Sequence, residues 1–229
     1  MRSIGRAKPF AAAALCAAAI LASPALASLP GNGSIVFEVL RGGEPMGTHS
    51  LRFEKRGEDL HVFIDIDLKV DLAFVTVFRY EHSNHEIWRD GRLISIETTT
   101  DDDGETYFVK GEATAAGFQV TSSEGKAALP ADILPTSYWH PQTVARDRLL
   151  DTQKGRIVEV ATRELRQEAI SIDGLRIEAT HYRMTGDLDL ELWYAPNGEW
   201  VKIAFETRGA EIVYARENGG PQLTKRAAE

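Results

Sequence analysis

The feature that most constrains the fold of this chain is a long run in which apolar residues occupy every second position. All even positions from 62 to 72 are apolar, whereas Asp65, Asp67 and Lys69 occupy odd positions between them. Successive side chains of a β-strand point to opposite faces of a sheet. The period of two therefore predicts a long strand with one buried face and one solvated face.

Shorter alternating runs follow along the chain, and pairs ending in glycine separate them at hairpin spacing. These pairs are Gly42-Gly43, Asp90-Gly91, Asp103-Gly104, Asp173-Gly174 and Asn197-Gly198. Such pairs supply the positive φ angles that tight β-turns need. The sequence thus predicts an all-β fold, an antiparallel meander curled into a barrel or half-barrel, and leaves open whether the barrel closes.

The N-terminal segment, residues 1–27, is typical of a secretory signal peptide. Three cations precede an apolar run at residues 10–22, and Ala25-Leu26-Ala27 forms a small-x-small cleavage motif. The apolar run is shorter than the ~20 residues of a spanning helix, which argues against a retained transmembrane anchor. We therefore expect export to the periplasm, a single β domain at residues 28–217 and a frayed polar tail at residues 218–229.

Cleavage of this segment would change the chemistry of the chain. It removes Cys16, the single cysteine, and shifts the formal net charge from −8 to −11 because three cations leave with it. A cysteine-free mature chain has no disulfide, thiol nucleophile or cysteine-bound metal. The negative charge also argues against a nucleic-acid-binding protein.

Two segments depart from simple alternation. Residues 72–78 are apolar at almost every position, which we interpret as core packing, with a cavity lining or a lipid-docking face as the alternative. Residues 134–155 lack alternation and read as a crossover between two meanders, with one short helix near residues 141–150. The proline-bracketed loop that contains Tyr138, Trp139 and His140 would act as a plug of the core or as a lid.

No catalytic, metal or cofactor site emerges from the residue spacing. His82 and His85 lie three apart in a predicted strand, so they point to opposite faces and cannot share an ion. The acidic run at residues 101–105 lacks the ligand spacing of a calcium loop. Ser137 and His140 are close in sequence, but no nucleophile elbow surrounds them, so a hydrolase is the weakest of the functional alternatives.

Several short motifs resemble a family of secreted proteobacterial proteins of unknown function. They are residues 78–93 (FRYEHSNHEIWRDGRL), the acidic hairpin at residues 101–104, the Thr136-Ser137-Tyr138-Trp139 loop and Leu192-Trp193-Tyr194. Together they resemble the DUF6134 family over nearly all of the mature chain. The plan is more distantly similar to DUF3108 proteins and to LolA-like periplasmic half-barrels. The resemblance implies a curled β-sheet and a periplasmic location, and it brings no catalytic residues.

These observations favour a periplasmic, non-enzymatic protein that holds an apolar or amphipathic, lipid-like envelope molecule in the concavity of the sheet. The side chains expected to line or cover that ligand are Phe74, Phe78, Trp88, Tyr138, Trp139 and His140. The alternative is a structural or interaction protein of the envelope whose core is filled with its own side chains. A core without a cavity above ~300 Å³ would favour this alternative.

Overall fold

The computed structural model describes residues 33–172 and 174–217, except for the side chains of Leu72 and Glu217. The predicted signal peptide and C-terminal tail lie outside these residues. The strands are β1 (Ser34–Arg41), β2 (Glu44–Arg56), β3 (Asp59–Leu72), β4 (Val75–Arg89), β5 (Arg92–Asp102), β6 (Glu105–Thr114), β7 (Gly117–Ser122), β8 (Gly125–Leu129), β9 (Leu134–Pro135), β10 (Arg148–Leu150), β11 (Ile157–Ile172), β12 (Leu175–Gly186), β13 (Leu190–Tyr194), β14 (Trp200–Thr207) and β15 (Ala210–Glu217).

All fifteen strands form one curled sheet, in the order β8-β7-β6-β5-β4-β3-β2-β1-β15-β14-β13-β12-β11-β10-β9. Every pair is antiparallel except β9–β10. The two edge strands, β8 and β9, are joined by the short segment 130–133 but do not pair with each other, so the sheet curls without closing. Pro130 and Pro135, which have no N–H to donate, lie at this seam and protect the edges. The predicted all-β meander is confirmed, with the barrel left open.

The face of the sheet that points into the curl carries the main hydrophobic core. In β3, Val62 and Ile64 are buried, with 0% and 2% of their surface exposed, as the alternation predicts. The largest completely buried side chains include Trp200, Phe37, Phe118 and Leu51. At about 25 cal/mol per Å² of apolar surface, burial of this face is the main stabilising contribution to the fold.

The β11–β12 hairpin covers part of the outer face as well. A bulge between Glu164 and Arg166 shifts the register of β11 against β12. Val158 and Val160, before the bulge, belong to the main core, whereas Ile172, after it, belongs to a second cluster with Ala179, Trp193, Val201 and Ala204. A one-residue bulge reverses which face a strand's even-numbered residues occupy. The part of this hairpin beyond the bulge therefore packs on the outside of β13–β15. We call this part, residues 166–172 and 174–181, the overhang.

The crossover contains less helix than the sequence predicts. It has one 3₁₀ helix at Pro141–Ala145, capped by His140, and residues 148–150 form strand β10 instead of continuing the helix. Arg146, after the helix, is extended, and β10 pairs with β9 and β11. Pairing satisfies the backbone groups that a longer helix would otherwise use.

The β3–β4 hairpin extends beyond its neighbours. The pairing of β2 with β3 ends at Gly47–Leu68, and the pairing of β4 with β5 ends at Tyr80–Asp102. Residues 69–79 therefore form a two-stranded ribbon without a strand on either side. Within the described residues, no helix has the length and apolar character needed to span a bilayer.

Candidate functional site

The inner face of β4 is polar where it meets the crossover. His82, Asn84 and Glu86 alternate along this strand with 4%, 4% and 0% exposure, and Trp88 follows them. Opposite them on β5 lie the buried hydroxyls of Thr98 and Thr100. The curl therefore contains a band of buried polar groups, which need hydrogen-bond partners to be tolerated.

Glu86 is the centre of this band. Its Oε1 accepts a hydrogen bond from Asn84 Nδ2 at 2.9 Å, and its Oε2 accepts from Trp88 Nε1 at 2.8 Å and from Trp139 Nε1 at 2.9 Å. Burial raises the pKa of Glu86, while the hydrogen bonds from Trp139, Asn84, Trp88 and Ser137 act in the opposite direction. The carboxyl group thus fastens the crossover, through Trp139, to strand β4.

Three of the six predicted ligand-binding residues lie around this carboxyl group. The ring of Trp88 is 5.0 Å from that of Trp139 and stacks on His140 at 5.3 Å. Trp139 and His140 are 4% and 5% exposed. Burial, with a contribution from Arg146, lowers the pKa of His140 to about 4. These rings pack as core.

Polar contacts fix the rest of the crossover to the inner wall. Thr98 Oγ1 donates to the Thr152 carbonyl at 2.7 Å, and Gln153 Nε2 donates to Asp102 at 3.2 Å. Tyr138, another predicted binding residue, is half-buried, and its carbonyl accepts from Tyr194 Oη at 2.6 Å. A cavity of about 220 Å³ remains at the mouth of the curl, lined among others by Arg92, Ile133, Leu134, His140 and Arg146.

A more open cleft lies at the outer edge of the same end. It measures about 360 Å³ and lies between the overhang and the β13–β14 turn. Its apolar walls include Ile172, Ile177 and Val201, and Arg216 and Glu199 also line it. Arg216 Nη2 forms an ion pair with Glu199 at 2.6 Å, and the Arg216 side chain is only 7% exposed.

Comparisons with known proteins agree with this architecture. A family model described as a domain of unknown function, DUF6134, matches residues 37–217. The chain belongs to the DUF6134 family. A search of the curated proteins found no match. Among solved structures, the DUF6134 chain is similar to a crystal structure described as a beta-barrel-like protein of domain of unknown function DUF1849 from Brucella abortus, with 12% identity, 80% of this chain and 94% of that chain covered, and a TM-score of 0.56. This likeness shows the fold alone. The more distant resemblance to DUF3108 and LolA-like proteins stays a prediction.

The structure corrects the expected role of the apolar segment of this DUF6134 protein. Phe74 was expected to line the concavity but lies at the tip of the β3–β4 hairpin with 103% exposure, far from Trp88 and Trp139. Phe78 lies in the same ribbon, half-buried at the edge of the main core. Residues 73–77 are exposed because no strand accompanies the ribbon on either side, so the core-packing interpretation is wrong for them.

The candidate nucleophile and base of the hydrolase hypothesis make separate contacts. The Ser137 side chain hydrogen-bonds to Glu86, whereas His140 Nδ1 accepts from the backbone N–H of Gln142 at 3.3 Å. Sequence reasoning missed Glu86 itself. The sequence does contain a signal for it, because Glu86 lies two residues before Trp88 and so shares its face of β4. An acidic residue in a strand is nevertheless usually assigned to the solvent side, because an unpaired buried charge is costly.

In the described parts of the DUF6134 domain, no group of three or more His, Cys, Asp or Glu side chains is arranged to hold a metal ion. The acidic hairpin at residues 101–105 instead forms a turn in which Asp101 Oδ1 accepts from Gly104 N at 2.7 Å.

His49, on β2, is a further polar residue buried inside the curl, and its substitution tests the cost of burying such a group. Its ring lies 5.5 Å from that of Trp200 and 5.4 Å from that of Tyr214, and neither ring nitrogen has a hydrogen-bond partner. Burial, with a smaller contribution from His82, lowers the pKa of His49 to about 3. We expect His49→Leu to raise the free energy of unfolding at pH 7 by about 1–2 kcal/mol, because leucine has no polar atoms to desolvate.

The same substitution should change the acid sensitivity of the protein. The unfolded chain binds a proton at His49 below pH 6.5 that the folded chain binds only near pH 3. Stability is therefore lost as the pH falls through this window, and the variant should lose less of it. Urea unfolding from pH 4 to pH 7 measures both effects. A lower free energy of unfolding at pH 7 in the variant would contradict the absence of partners for the ring.

Proposed function

We propose that this protein is a non-enzymatic, periplasmic binding protein for an apolar or amphipathic, lipid-like molecule of the cell envelope. The signal-like N-terminal segment supports export. The curled, barrel-like fold supports a binding role, because such sheets satisfy their own backbone hydrogen bonds while presenting apolar side chains. The proposed site is the cleft under the overhang.

The observation that carries this proposal is that the cleft has apolar walls and one polar end. Ile172, Ile177 and Val201 offer apolar walls, and Arg216 lies at the polar end. Arg216 Nε is buried without a hydrogen-bond partner, although its Nη2 is paired with Glu199. An amphipathic ligand matches both halves, since its apolar part would contact the walls and its polar group would accept a hydrogen bond from Nε. The volume of about 360 Å³ lies in the range of small-molecule sites.

The inside of the curl is less suited to such a ligand. Trp88, Trp139 and His140 fill the space beneath the crossover, and the wall behind them carries the polar side chains of Asn84 and Glu86. The cavity left at the mouth, about 220 Å³, is smaller than most ligand sites. We therefore place the ligand outside the curl, where the sequence alone placed it inside.

Substitution of Ile177 tests the cleft. Ile177→Trp should weaken binding of a fluorescent fatty acid about tenfold, because the larger ring occupies the apolar space and removes roughly 1.4 kcal/mol of contacts. Leu175→Trp is the matched control, since Leu175 lies two residues away on the same strand, is 64% exposed and does not line the cleft. Native mass spectrometry of the exported protein should show a co-purifying lipid. Equal affinity of both variants, or no binding by the parent, would refute the proposal.

The second candidate is an interaction protein of the envelope, and the filled interior of the curl favours it. In that case the outer surface contacts another protein and no lipid co-purifies. Cross-linking in cells followed by purification would identify a specific partner, and neither the parent nor the Ile177→Trp variant would bind the fluorescent fatty acid.

A further inference from the structure

The tip of the β3–β4 hairpin is the most exposed apolar feature of the described chain. We define the hairpin tip as residues 73–77. Within it, Phe74 is 103% exposed, Val75 is 63% exposed and Val77 is 46% exposed. Isolated exposed apolar residues are common, but a contiguous group on a projecting ribbon marks an interaction site.

The charged residues around the ribbon lie at its base, near the sheet, and not at its tip. The tip contains no charged residue, whereas Lys69 and Arg79 lie opposite each other where the ribbon leaves the sheet, paired with Asp71 and Glu81. Arg208, in the β14–β15 turn, places its guanidinium 4.8 Å from the Phe78 ring and makes no ion pair within residues 33–172 and 174–217. An apolar end with one unpaired cation, Arg208, at its base is a distribution expected of a segment that enters a bilayer interface.

We propose that the hairpin tip inserts into the surface of an anionic lipid bilayer. Phe74, Val75 and Val77 would enter the boundary between headgroups and acyl chains, with Arg208 at the level of the lipid phosphates. This inference goes beyond ligand binding in the cleft, which lies at the other end of the sheet because successive hairpin turns of a meander alternate between its ends. Docking would hold the binding protein against the membrane.

The shape of the ribbon favours a bilayer over a second copy of the chain. A projecting tip is convex, and lipids can cover a convex apolar surface without a matching groove. The cleft under the overhang, with its apolar walls, lies at the opposite end. Insertion of one copy's tip into another copy's cleft would be a head-to-tail contact, which propagates into open filaments instead of closing a dimer.

Acidic side chains surround the base of the ribbon, where Asp103 N donates to the Arg79 carbonyl at 2.8 Å, so the contact with the bilayer is confined to the uncharged tip. Asp67 and Glu81 lie seven residues from Phe74 along their strands, which is about 23 Å of extended chain. The lipid phosphates, at the level of Arg208 and Phe78, would lie closer, about 10 Å from Glu81. Screening with a Debye length of ~8 Å reduces the repulsion at this separation, and Glu81 is also paired with Arg79. Asp71 is closer, but it forms an ion pair with Lys69 at 2.9 Å and accepts from Thr76 Oγ1.

Vesicle co-sedimentation tests the proposal with the exported protein and no added ligand. The parent should bind vesicles of phosphatidylethanolamine and phosphatidylglycerol, and Phe74→Ser should bind about tenfold more weakly, because it loses most of the gain from burying a large apolar side chain. Leu175→Ser is the matched control, since Leu175 is exposed in a hairpin at the opposite end of the sheet. This variant should bind vesicles as the parent does. Both positions are exposed, so neither substitution should affect folding.

Two further variants identify the mode of contact. Arg208→Gln should weaken binding to anionic vesicles about fivefold but leave any binding to phosphatidylcholine vesicles unchanged, as expected for one cation at a charged surface. With vesicles present, Phe74→Trp should show tryptophan fluorescence additional to that of the parent. This additional emission should be blue-shifted, and brominated lipids should quench it. Absence of parent binding, equal binding of the Phe74→Ser and Leu175→Ser variants, or an emission increment of the Phe74→Trp variant that brominated lipids leave unquenched would each overturn the proposal. The cleft is tested separately, because Ile177→Trp should bind vesicles normally.

Discussion

Replacing Glu86 with alanine is expected to lower the free energy of unfolding by about 3–5 kcal/mol. The substitution leaves the indole N–H groups of Trp88 and Trp139 and the amide of Asn84 without their shared acceptor, in a site with no exposure. It also opens a cavity where the crossover meets β4. Denaturant unfolding measures the loss, and limited proteolysis should show earlier cleavage within residues 134–155.

Glu86→Gln is the control that separates hydrogen bonding from charge. A glutamine carbonyl can accept from both indoles, and its amide can donate to Asn84 Oδ1, which has no hydrogen-bond partner, once the Asn84 amide rotates. We therefore expect this variant to fold with a stability within about 1 kcal/mol of the parent near pH 5. A loss as large as that of Glu86→Ala would mean that the ionised carboxylate, and not the set of acceptors, holds the loop.

The pH dependence of the glutamine variant has a definite sign. Burial raises the pKa of Glu86 above its usual 4.5, so the folded chain retains a proton that the unfolded chain releases. The stabilisation is complete below pH 4.5 and declines as the pH rises through the folded pKa. Glu86→Gln lacks this decline, so its stability relative to the parent should increase with pH. A constant difference across the pH range would contradict the raised pKa.

Gly47→Ala is expected to destabilise the fold by about 3 kcal/mol or more. Gly47 has a φ of 150°, and a Cβ built there would lie 2.0 Å from the Asp67 carbonyl oxygen and 2.9 Å from Leu68 Cα. Both neighbouring atoms belong to the backbone of β3 and cannot rotate away. Gly47–Leu68 is also the last pair of β2 with β3, so the clash lies where the projecting ribbon leaves the sheet.

Gly42→Ala is the matched control for this prediction. Gly42 also has a positive φ, 58°, but no atom lies within 4 Å of the position its Cβ would take. Its substitution should cost only about 1–2 kcal/mol, the usual penalty of an L-residue in the left-handed region. Thermal or denaturant unfolding compares the two variants. Equal losses would show that β3 moves aside at Gly47.

Much of the fold was predictable because its signals are local. The alternation in residues 62–72 specifies an inner and an outer face for β3, and the glycine pairs specify turns, since side-chain parity and φ angles depend on neighbouring residues only. The same parity places Glu86 inside with Trp88. Parity does not reveal the hydrogen-bond donors of Glu86, because Trp139 comes from a loop far along the chain. Without such donors a buried carboxylate is not expected.

The sequence by itself therefore determined a β-meander, the faces of its regular strands and its family. Only the tertiary structure decided which apolar segments are covered. Residues 73–77 are exposed because β2 and β5 end before them, and Ile172 faces outward because a bulge beside Leu165 shifts the register. Both outcomes depend on where neighbouring strands end and how they align. Burial is a property of what packs against a residue, and a residue's own sequence neighbourhood does not contain that information.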